Sequence, residues 1–397
     1  MIRIMDRLAG DNIQFHYVEE KSELEEVRDF IWDRSAIAID TESTRLNCYH
    51  PDWRLKTVQY GDATDSYVVP AQFKNFVYWS MGEPINWIGH NGPHDIRCID
   101  AHLRLETGVV CAGETYIPSH HIDSRGKDEG GTGHKLEELA KIYVDPQAGK
   151  WDKARKEAFK EITIPIEGEV FKSGPRKGQP KTRKAKLSEG WSLIDSKHPA
   201  MIAYAAADPI LTYRVWQKLQ PVVKEFHKLY RFDKQVALAC DKLQRRAMLV
   251  DVDYTQRLSN AYAKRAHQLR NAALEYGCEN IQSGDQIAKT LLMLGIKLTV
   301  KTDSGKWKTD AELLRRIAEK QIDNQDALDF IKSVLGAKQV EKRRESYTQH
   351  ILEELDENSR IHPSINSLAA RTTRMSVSGP PLQQLPTQDH EEDLTYE

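Results

Sequence analysis

Two acidic residues follow a short apolar stretch near the start of the chain. The stretch is Ala36–Ile39, and Asp40 and Glu42 come directly after it. Apolar runs of this length are typical of buried strands, and residues two positions apart on a strand project from the same face. Two carboxylates held on one face repel each other unless a cation lies between them, and hard divalent cations prefer oxygen ligands. The sequence therefore predicts that Asp40 and Glu42 form half of a divalent metal site.

Two further acidic residues have neighbours that fit the same chemistry. Asp95 ends a stretch, residues 90–95, that predicts a turn opening a helix. Asp208 comes four residues after Tyr204, which places both side chains on one helical face. A phenol beside a metal-bound carboxylate can orient an attacking water. Four carboxylates can hold two Mg²⁺ or Mn²⁺ ions about 4 Å apart, one activating the water and one stabilising the leaving oxygen. The residues alone do not decide between the two metals.

Strand-like and helix-like stretches alternate over the first half of the chain. Leu55–Tyr60 and Ser66–Val69 predict two strands after the central one, and Ala200–Leu219 predicts a helix. This alternation indicates an α/β domain. Proline disfavours helical geometry in the residue before it. Because Pro209 directly follows Asp208, the sequence leaves the helical placement of Asp208 open.

A basic segment, residues 152–190, interrupts this domain. Seven cations follow one another with Gly and Pro and no acid among them: Lys172, Arg176, Lys177, Lys181, Arg183, Lys184 and Lys186. One interpretation is a solvated insertion, and the other is a flap that binds nucleic-acid phosphates. The sequence leaves both open.

The second half of the chain is predicted to be mostly helical. Asp253…Gln256, Ser283…Gln286 and Thr309…Glu312 each have the spacing of a capping box before an apolar-periodic run. Residues 330–355 predict one long helix.

Composition sets outer limits on the class of protein. A chain of 397 residues is long enough for two or three domains, and its net charge of −2 gives no sign of a charged partner. Five cysteines without a C-x-x-C pair favour a reducing compartment over a disulfide framework or a zinc site. No apolar stretch approaches the ~20 residues that span a bilayer. We therefore expect a cytoplasmic protein, in the host cytoplasm if the chain is phage-encoded.

Three motifs in this order resemble those of the DEDD 3′–5′ exonucleases. They are Asp40-Thr-Glu42, Asn91-x-x-His94-Asp95 and Tyr204-x-x-x-Asp208, with the tyrosine typical of proofreading domains and His94 in place of the usual Tyr or Phe. The resemblance implies an RNase H-like fold and metal-dependent removal of nucleotides from DNA 3′ ends. It also implies roles for individual residues: Asp40, Glu42, Asp95 and Asp208 as metal ligands, Tyr204 as the water-orienting residue, Leu46 as a wedge near the terminal base, and Asn91 as a substrate contact beside Asp95.

The second half of the chain is similar to family A DNA polymerases of the bacterial polymerase I type. Residues 371–386 resemble the family's primer-terminus motif, in which the arginine matching Arg374 contacts the primer in the minor groove. The hairpin at residues 301–310 and the Arg-Ile-His stretch at 360–362 also match. The resemblance covers about residues 14–387. It implies an exonuclease domain (1–222), a helical thumb (223–358), the start of a palm (359–387) and an acidic tail (388–397). The expected partners are the 3′ end of single-stranded DNA and a primer–template duplex.

The sequence contains neither the D-Y-S-Q-I-E nor the H-D-E motif of these polymerases. We therefore expect the chain to shorten a primer and not to extend it, unless a second polypeptide carries the palm and fingers. Two alternatives stay open. One is a standalone RNase D-like exonuclease acting on RNA, which Arg371–Pro386 argues against. The other is a non-catalytic DNA-binding subunit of a split polymerase, although four intact carboxylates argue against inactivity.

Overall fold

The computed structural model describes residues 1–171, 173–320 and 323–385. The chain divides into two compact units, of which the first contains residues 1–247 and 365–376 and the second contains 248–364 and the described residues from 377 onward. Lys172, Pro386 and the predicted acidic tail lie outside the described residues. The predicted domain boundaries stay a prediction. Among the described residues, no helix is both long and apolar enough to cross a membrane.

A mixed seven-stranded sheet forms the centre of the first unit. Its strands are β1 (Ile2–Leu8), β2 (Asp11–Tyr17), β3 (Ala36–Ser43), β4 (Leu55–Gly61), β5 (Asp65–Pro70), β6 (Asn86–Gly89) and β7 (Gly113–Glu114). The order in space is β1-β2-β5-β4-β3-β6-β7, with β3 antiparallel to β4 and parallel to β6. The predicted central strand is confirmed as β3, and the two predicted strands after it are β4 and β5.

Helices cover both faces of this sheet. They are α1 (Leu24–Trp32), α2 (Lys74–Met81), α3 (Gly92–Leu103), α4 (Tyr116–Ile122), α5 (Leu136–Tyr143), α6 (Lys150–Glu161), α7 (Leu187–Leu193), α8 (Pro199–Glu225) and α9 (His227–Arg246). One apolar cluster joins Ile37 and Ile39 of β3 to α1–α3, and a second joins Phe15 of β2 to α5, α6 and α8. Because both faces are covered, the apolar part of β3 is buried without alternation.

Helix α8 continues through both of its prolines, Pro209 and Pro221. The predicted end at Leu219 is therefore wrong, and Asp208 is helical. Proline inside a helix removes a hydrogen bond at a cost of about 3 kcal/mol. Packing against the sheet offsets this cost, since a Cβ on Gly61 of β4 would lie only 2.7 Å from Cβ of Pro209. The glycine in β4 thus allows the proline in α8.

The second unit consists mainly of helices, as predicted. Its elements are β10 (Met248–Leu249), α10 (Val252–Glu275), α11 (Gly284–Met293), α12 (Ala311–Lys320), α13 (Gln325–Arg343), a π-helical turn (Arg344–Gln349), α14 (His350–Glu353) and β11 (Arg360–Ile361). Two short strands, β12 (Ser364–Asn366) and β13 (Ser376–Ser378), each contain residues of both units, and a 3-10 turn (Leu382–Gln384) follows them. The two-stranded sheet β8–β9 (Thr163–Val170 and Pro180–Lys184) belongs to the first unit. The predicted long helix at 330–355 is thus interrupted and begins earlier, at Gln325.

One of the three predicted capping positions is correct. The Ser283 hydroxyl accepts a hydrogen bond from the Gln286 N–H at 3.3 Å. Helix α10 is capped by Asp251, which accepts from the Tyr254 N–H at 2.8 Å, so the predicted cap at Asp253 is wrong. Asp310 caps α12 through the Leu313 N–H at 2.9 Å in the place predicted for Thr309. In both helices an aspartate reaches the free N–H groups from the first position outside the helix.

Candidate active site

The ends of β3 and the middle of α8 bring three of the predicted acids together. The ligand oxygens of Asp40, Glu42 and Asp208 lie within 4.8 Å of one another. Asp40 and Glu42 come from one strand, and Asp208 comes from the helix that packs across it. Glu42 is buried, whereas Asp40 and Asp208 keep partial access to solvent. We refer to these three residues as the acid cluster.

The fourth predicted acid, Asp95, is tied to the strand residue between the first two. The Thr41 hydroxyl donates a hydrogen bond to Oδ1 of Asp95 at 2.7 Å. Asp95 is buried at the start of α3 and is close enough for its charge to raise the pKa of Asp40. The four predicted acids therefore lie in one region, with Asp95 beside the acid cluster rather than within it.

A buried glutamate holds the turn that carries Asp95. The Glu114 carboxylate accepts hydrogen bonds from the Asn91 N–H at 2.7 Å and the Gly92 N–H at 2.8 Å. Asn91 has a φ of 62°, in the left-handed region, and its side chain is exposed. Asparagine adopts this conformation more readily than most residues, which explains its place before the helix. Glu114 was not predicted from the sequence, because it lies 23 residues after Asn91 and its contact joins a turn to a two-residue strand.

Burial raises the pKa of all four predicted acids. Loss of water raises the pKa of Asp95 and that of Asp208 to about 7. Burial, together with repulsion from the neighbouring carboxylates, holds the pKa of Asp40 and that of Glu42 well above their usual ranges. Carboxyls this close titrate as a set. Without a cation, the site retains protons that exposed carboxyls lose well below neutral pH.

Tyr204 lies beside the acid cluster, as its spacing predicted. Its hydroxyl hydrogen-bonds to the Asp208 carboxylate one helical turn away. Burial and repulsion from the nearby acids raise the pKa of Tyr204 well above its usual range. The phenol therefore keeps its proton at neutral pH and can donate a hydrogen bond.

An arginine that the sequence analysis missed packs on Tyr204. The guanidinium carbon of Arg155 lies 4.7 Å from the centroid of the Tyr204 ring and 4.3 Å from that of Trp191. Its NH2 group donates to Asp152 at 2.5 Å, and its charge lowers the pKa of Glu42 and Asp208. In the sequence, Arg155 belongs to a run of lysines on α6 that reads as a solvated face. Its burial follows only from the packing of α6 and α7 against α8.

The other two predicted site residues are exposed. Leu46 follows β3 with 84% of its surface exposed, and Arg374 is exposed in the segment 365–376. Because its side chain is exposed, Leu46 does not contribute to the hydrophobic core. The substrate contacts predicted for Leu46, Asn91 and Arg374 stay predictions.

The raised pKa values predict an unusual pH dependence of stability. In the unfolded chain Asp208 has its ordinary pKa of 3.8, against about 7 in the folded chain. Between these values the folded chain binds more protons, so this residue stabilises the fold at low pH and loses that contribution as pH rises towards 7. In EDTA, we expect the melting temperature of Asp208→Asn minus that of the wild type to increase by several degrees from pH 5 to pH 8. Each kcal/mol corresponds to about 2–4 °C for domains of 150–250 residues.

Thermal unfolding of both proteins in parallel is the measurement. Comparing the two removes the contributions of titrating groups outside the acid cluster, which both proteins share. A difference that stays constant between pH 5 and pH 8 would contradict the raised pKa of Asp208. Adding Mg²⁺ should stabilise the wild type more at pH 8 than at pH 5, because protons compete with the ion.

Comparison with known proteins defines the class to which this chain belongs. Residues 15–167 match the 3′–5′ exonuclease family, and residues 252–395 match DNA polymerase family A. The chain belongs to the family A DNA polymerases and carries a 3′–5′ exonuclease domain ahead of its polymerase residues.

Its similar relatives include two phage enzymes. The DNA polymerases of Mycobacterium phages D29 and L5 are 31% and 30% identical to this chain, over 98% of it. The chain spans 62% of the length of each of them. DNA polymerase I of Pseudomonas aeruginosa is 26% identical over 75% of this chain and 29% of its own length.

A solved structure shares the fold. The POL domain of Pol1 from M. smegmatis, solved in complex with DNA primer-template and dNTP, has a TM-score of 0.59 and 14% sequence identity. The match covers 94% of this chain and 56% of that one. The predicted fold class, an RNase H-like α/β exonuclease domain followed by a mostly helical polymerase region, is confirmed.

Proposed function

We propose that this chain hydrolyses DNA from its 3′ end as the proofreading exonuclease of a DNA polymerase I-like protein. The observation that carries the proposal is the acid cluster, in which carboxylate oxygens from β3 and α8 lie within 4.8 Å of one another. Asp95, bonded to Thr41, and the protonated phenol of Tyr204 lie beside it. This is the set of groups that metal-dependent phosphodiester hydrolysis needs.

The donor set fits divalent metal ions. All the donors are carboxylate oxygens, which both Mg²⁺ and Mn²⁺ accept. Four neighbouring acids with raised pKa values indicate repulsion that a cation would relieve. Two ions would be held by Asp40, Glu42, Asp95 and Asp208, and when bound they would supply an activated water and neutralise the charge developing on the phosphate.

The chain's own residues provide orientation. Tyr204 cannot act as a base, because its pKa lies well above the usual range, so it acts by donating a hydrogen bond. Asp208 accepts this hydrogen bond and fixes the direction of the phenol, which leaves the phenol oxygen to accept a hydrogen bond from a water. Arg155 and Trp191 pack on the Tyr204 ring and limit its rotation. A water held between the phenol and the acids would be aimed at the terminal phosphodiester, with Leu46 against the terminal base.

The family assignment favours DNA over RNA as the substrate. An RNase D-like enzyme would not require the polymerase residues matched at 252–395. A non-catalytic DNA-binding subunit would not require the acid cluster. Duplex binding by the helical unit, the primer contact of Arg374, and a second polypeptide with palm and fingers stay predictions.

The end of the DNA from which nucleotides are removed tests the proposal. We expect the chain with Mg²⁺ to shorten a 5′-labelled single-stranded DNA one nucleotide at a time, because the 3′ end enters the site. A 3′-terminal label should be released first, and EDTA should stop the reaction. Slower cleavage of RNA of the same sequence is also expected. Internal cuts, early release of the 5′ label, or activity in EDTA would contradict the proposal.

A further inference from the structure

Part of the basic segment forms a two-stranded sheet separate from the seven-stranded one. Among the residues that the structure describes, strands β8 and β9 pair only with each other, with Ile164 opposite Arg183 and Thr163 opposite Lys184. Most residues of both strands are exposed. Residues 163–186 contain seven lysines and arginines but only two acids. We call residues 163–186 the basic arm.

Several of its cations are available to a partner. Lys181 pairs with Glu169 at 3.1 Å, and Arg183 pairs with Glu189 at 2.6 Å. Four other described cations of the arm are exposed and form no ion pair with any residue that the structure describes: Arg176, Lys177, Lys184 and Lys186. Lys184 donates only to a backbone carbonyl, that of Glu161 at 3.4 Å, so none of the four charges is neutralised by a described acid and all four suit anionic groups.

The helices before and after the arm, α6 and α7, are both fixed next to Tyr204. On the entry side, Arg155 of α6 packs on the Tyr204 ring. On the exit side, the ring of Trp191 in α7 lies 6.0 Å from the Tyr204 ring, centroid to centroid. The Lys56 ammonium donates to the carbonyl of Trp191 at 3.1 Å and to that of Ile194 at 2.5 Å.

Lys56 connects the exit of the arm to the acid cluster itself. It lies on β4 next to Thr57, which is the partner of Glu42 across the strand pair. The segments before and after the arm are therefore both held in the region that contains Glu42 and Tyr204. From Arg155, the six remaining residues of α6 span about 9 Å, and eight residues of strand span about 27 Å. A DNA strand whose 3′ end occupies the acid cluster therefore needs only a few more nucleotides to reach the cations of the arm.

We propose that the basic arm binds the phosphate backbone of the single DNA strand whose 3′ end occupies the acid cluster. This inference rests on the proposed function. The arm offers charge rather than groups that read bases, so its contacts should be independent of sequence. Such contacts lengthen the residence of long strands and have no partner on a substrate too short to reach the arm.

Substitution of the unpaired cations tests the arm without removing the hairpin. The test variant is Arg176→Ala/Lys177→Ala/Lys186→Ala. Its matched control, Arg176→Lys/Lys177→Arg/Lys186→Arg, keeps the charge. A second control, Lys74→Ala, removes an exposed lysine on α2, a helix that packs in a different apolar cluster from α6. Binding of a labelled 20-nucleotide single-stranded DNA is measured by fluorescence anisotropy in EDTA at several salt concentrations.

We expect the alanine variant to bind at least about tenfold more weakly at 0.1 M salt, with the slope of log K against log salt reduced by about 2. Both controls should bind like the wild type. With Mg²⁺, the ratio of KM for the 20-nucleotide strand to KM for a trinucleotide should rise at least tenfold. An unchanged affinity and slope would overturn the proposal in favour of a solvated insertion. Equal weakening in the charge-preserving control, or weakening only for duplex DNA, would also overturn it.

These outcomes are separable from failure of the proposed function. Binding is measured without a metal ion, so no cleavage is required. If the wild type binds DNA more tightly than the alanine variant but never shortens it, the proposed function is contradicted and DNA binding by the arm is supported. If the wild type shortens DNA and the alanine variant binds DNA equally well, DNA binding by the arm is contradicted and the proposed function is supported.

Discussion

Asp40→Ala is expected to lower the rate of DNA hydrolysis by at least about 10³-fold, the equivalent of about 4 kcal/mol. The carboxylate lies within 4.8 Å of those of Glu42 and Asp208 and is surrounded by charges of the same sign. Acids in such a cluster share ions, so loss of one ligand impairs both the activation of water and the stabilisation of the leaving oxygen. The single-turnover rate on 5′-labelled single-stranded DNA at saturating Mg²⁺ measures the effect.

Two controls separate chemistry from folding. Glu157→Gln changes an exposed acid on α6 that pairs with Lys160 at 2.7 Å, and it should leave the rate within about twofold of the wild type. Thermal unfolding in EDTA should show that Asp40→Ala is no less stable than the wild type, because it removes one of several repelling charges. If Asp40→Ala retained a near wild-type rate with this fold intact, the assignment of the site would be wrong.

Tyr204→Phe is expected to slow hydrolysis by about 10²–10⁴-fold while metal binding persists. The change removes only the hydroxyl that hydrogen-bonds to Asp208. The ring should keep its packing under Arg155 and beside Trp191, so the affinity for DNA should change little. The loss should therefore be in the single-turnover rate rather than in KM.

Tyr213→Phe provides the matched control, since it makes the same change on the same helix away from the acid cluster. Its rate should equal that of the wild type. Mn²⁺ titration of Tyr204→Phe should give the same affinity as that of the wild type. An unchanged rate in Tyr204→Phe would mean that this tyrosine serves only in packing.

The sequence predicted the part of the site that local periodicity determines. Asp40 and Glu42 share a face of β3 because a strand alternates with a period of two, and Tyr204 and Asp208 share a face of α8 because a helix repeats every 3.6 residues. The resemblance of the three motifs, in that order, to the exonucleases then added Asp95 to the predicted site. A reader of the sequence alone could therefore name the acids before knowing how the sheet is ordered.

Contacts between elements that are distant in the sequence could not be predicted from local periodicity. Pro209 is tolerated in α8 because Gly61 faces it from β4, and neither residue reveals the other in the sequence. Arg155 and Glu114 act through tertiary contacts with Tyr204 and with the turn before α3. Strands β1 and β2 were not predicted, because only one residue of β1 is buried and the buried residues of β2 include a histidine, which weakens the apolar pattern.

Anomalous scattering would show directly whether the four acids hold divalent ions for hydrolysis. Crystals of the wild type soaked in Mn²⁺ would be measured at the manganese edge, with Asp40→Ala crystals as the control. We expect two manganese peaks among Asp40, Glu42, Asp95 and Asp208, and fewer than two in the variant. Absence of any peak among these residues, at a Mn²⁺ concentration that supports hydrolysis in solution, would contradict this expectation.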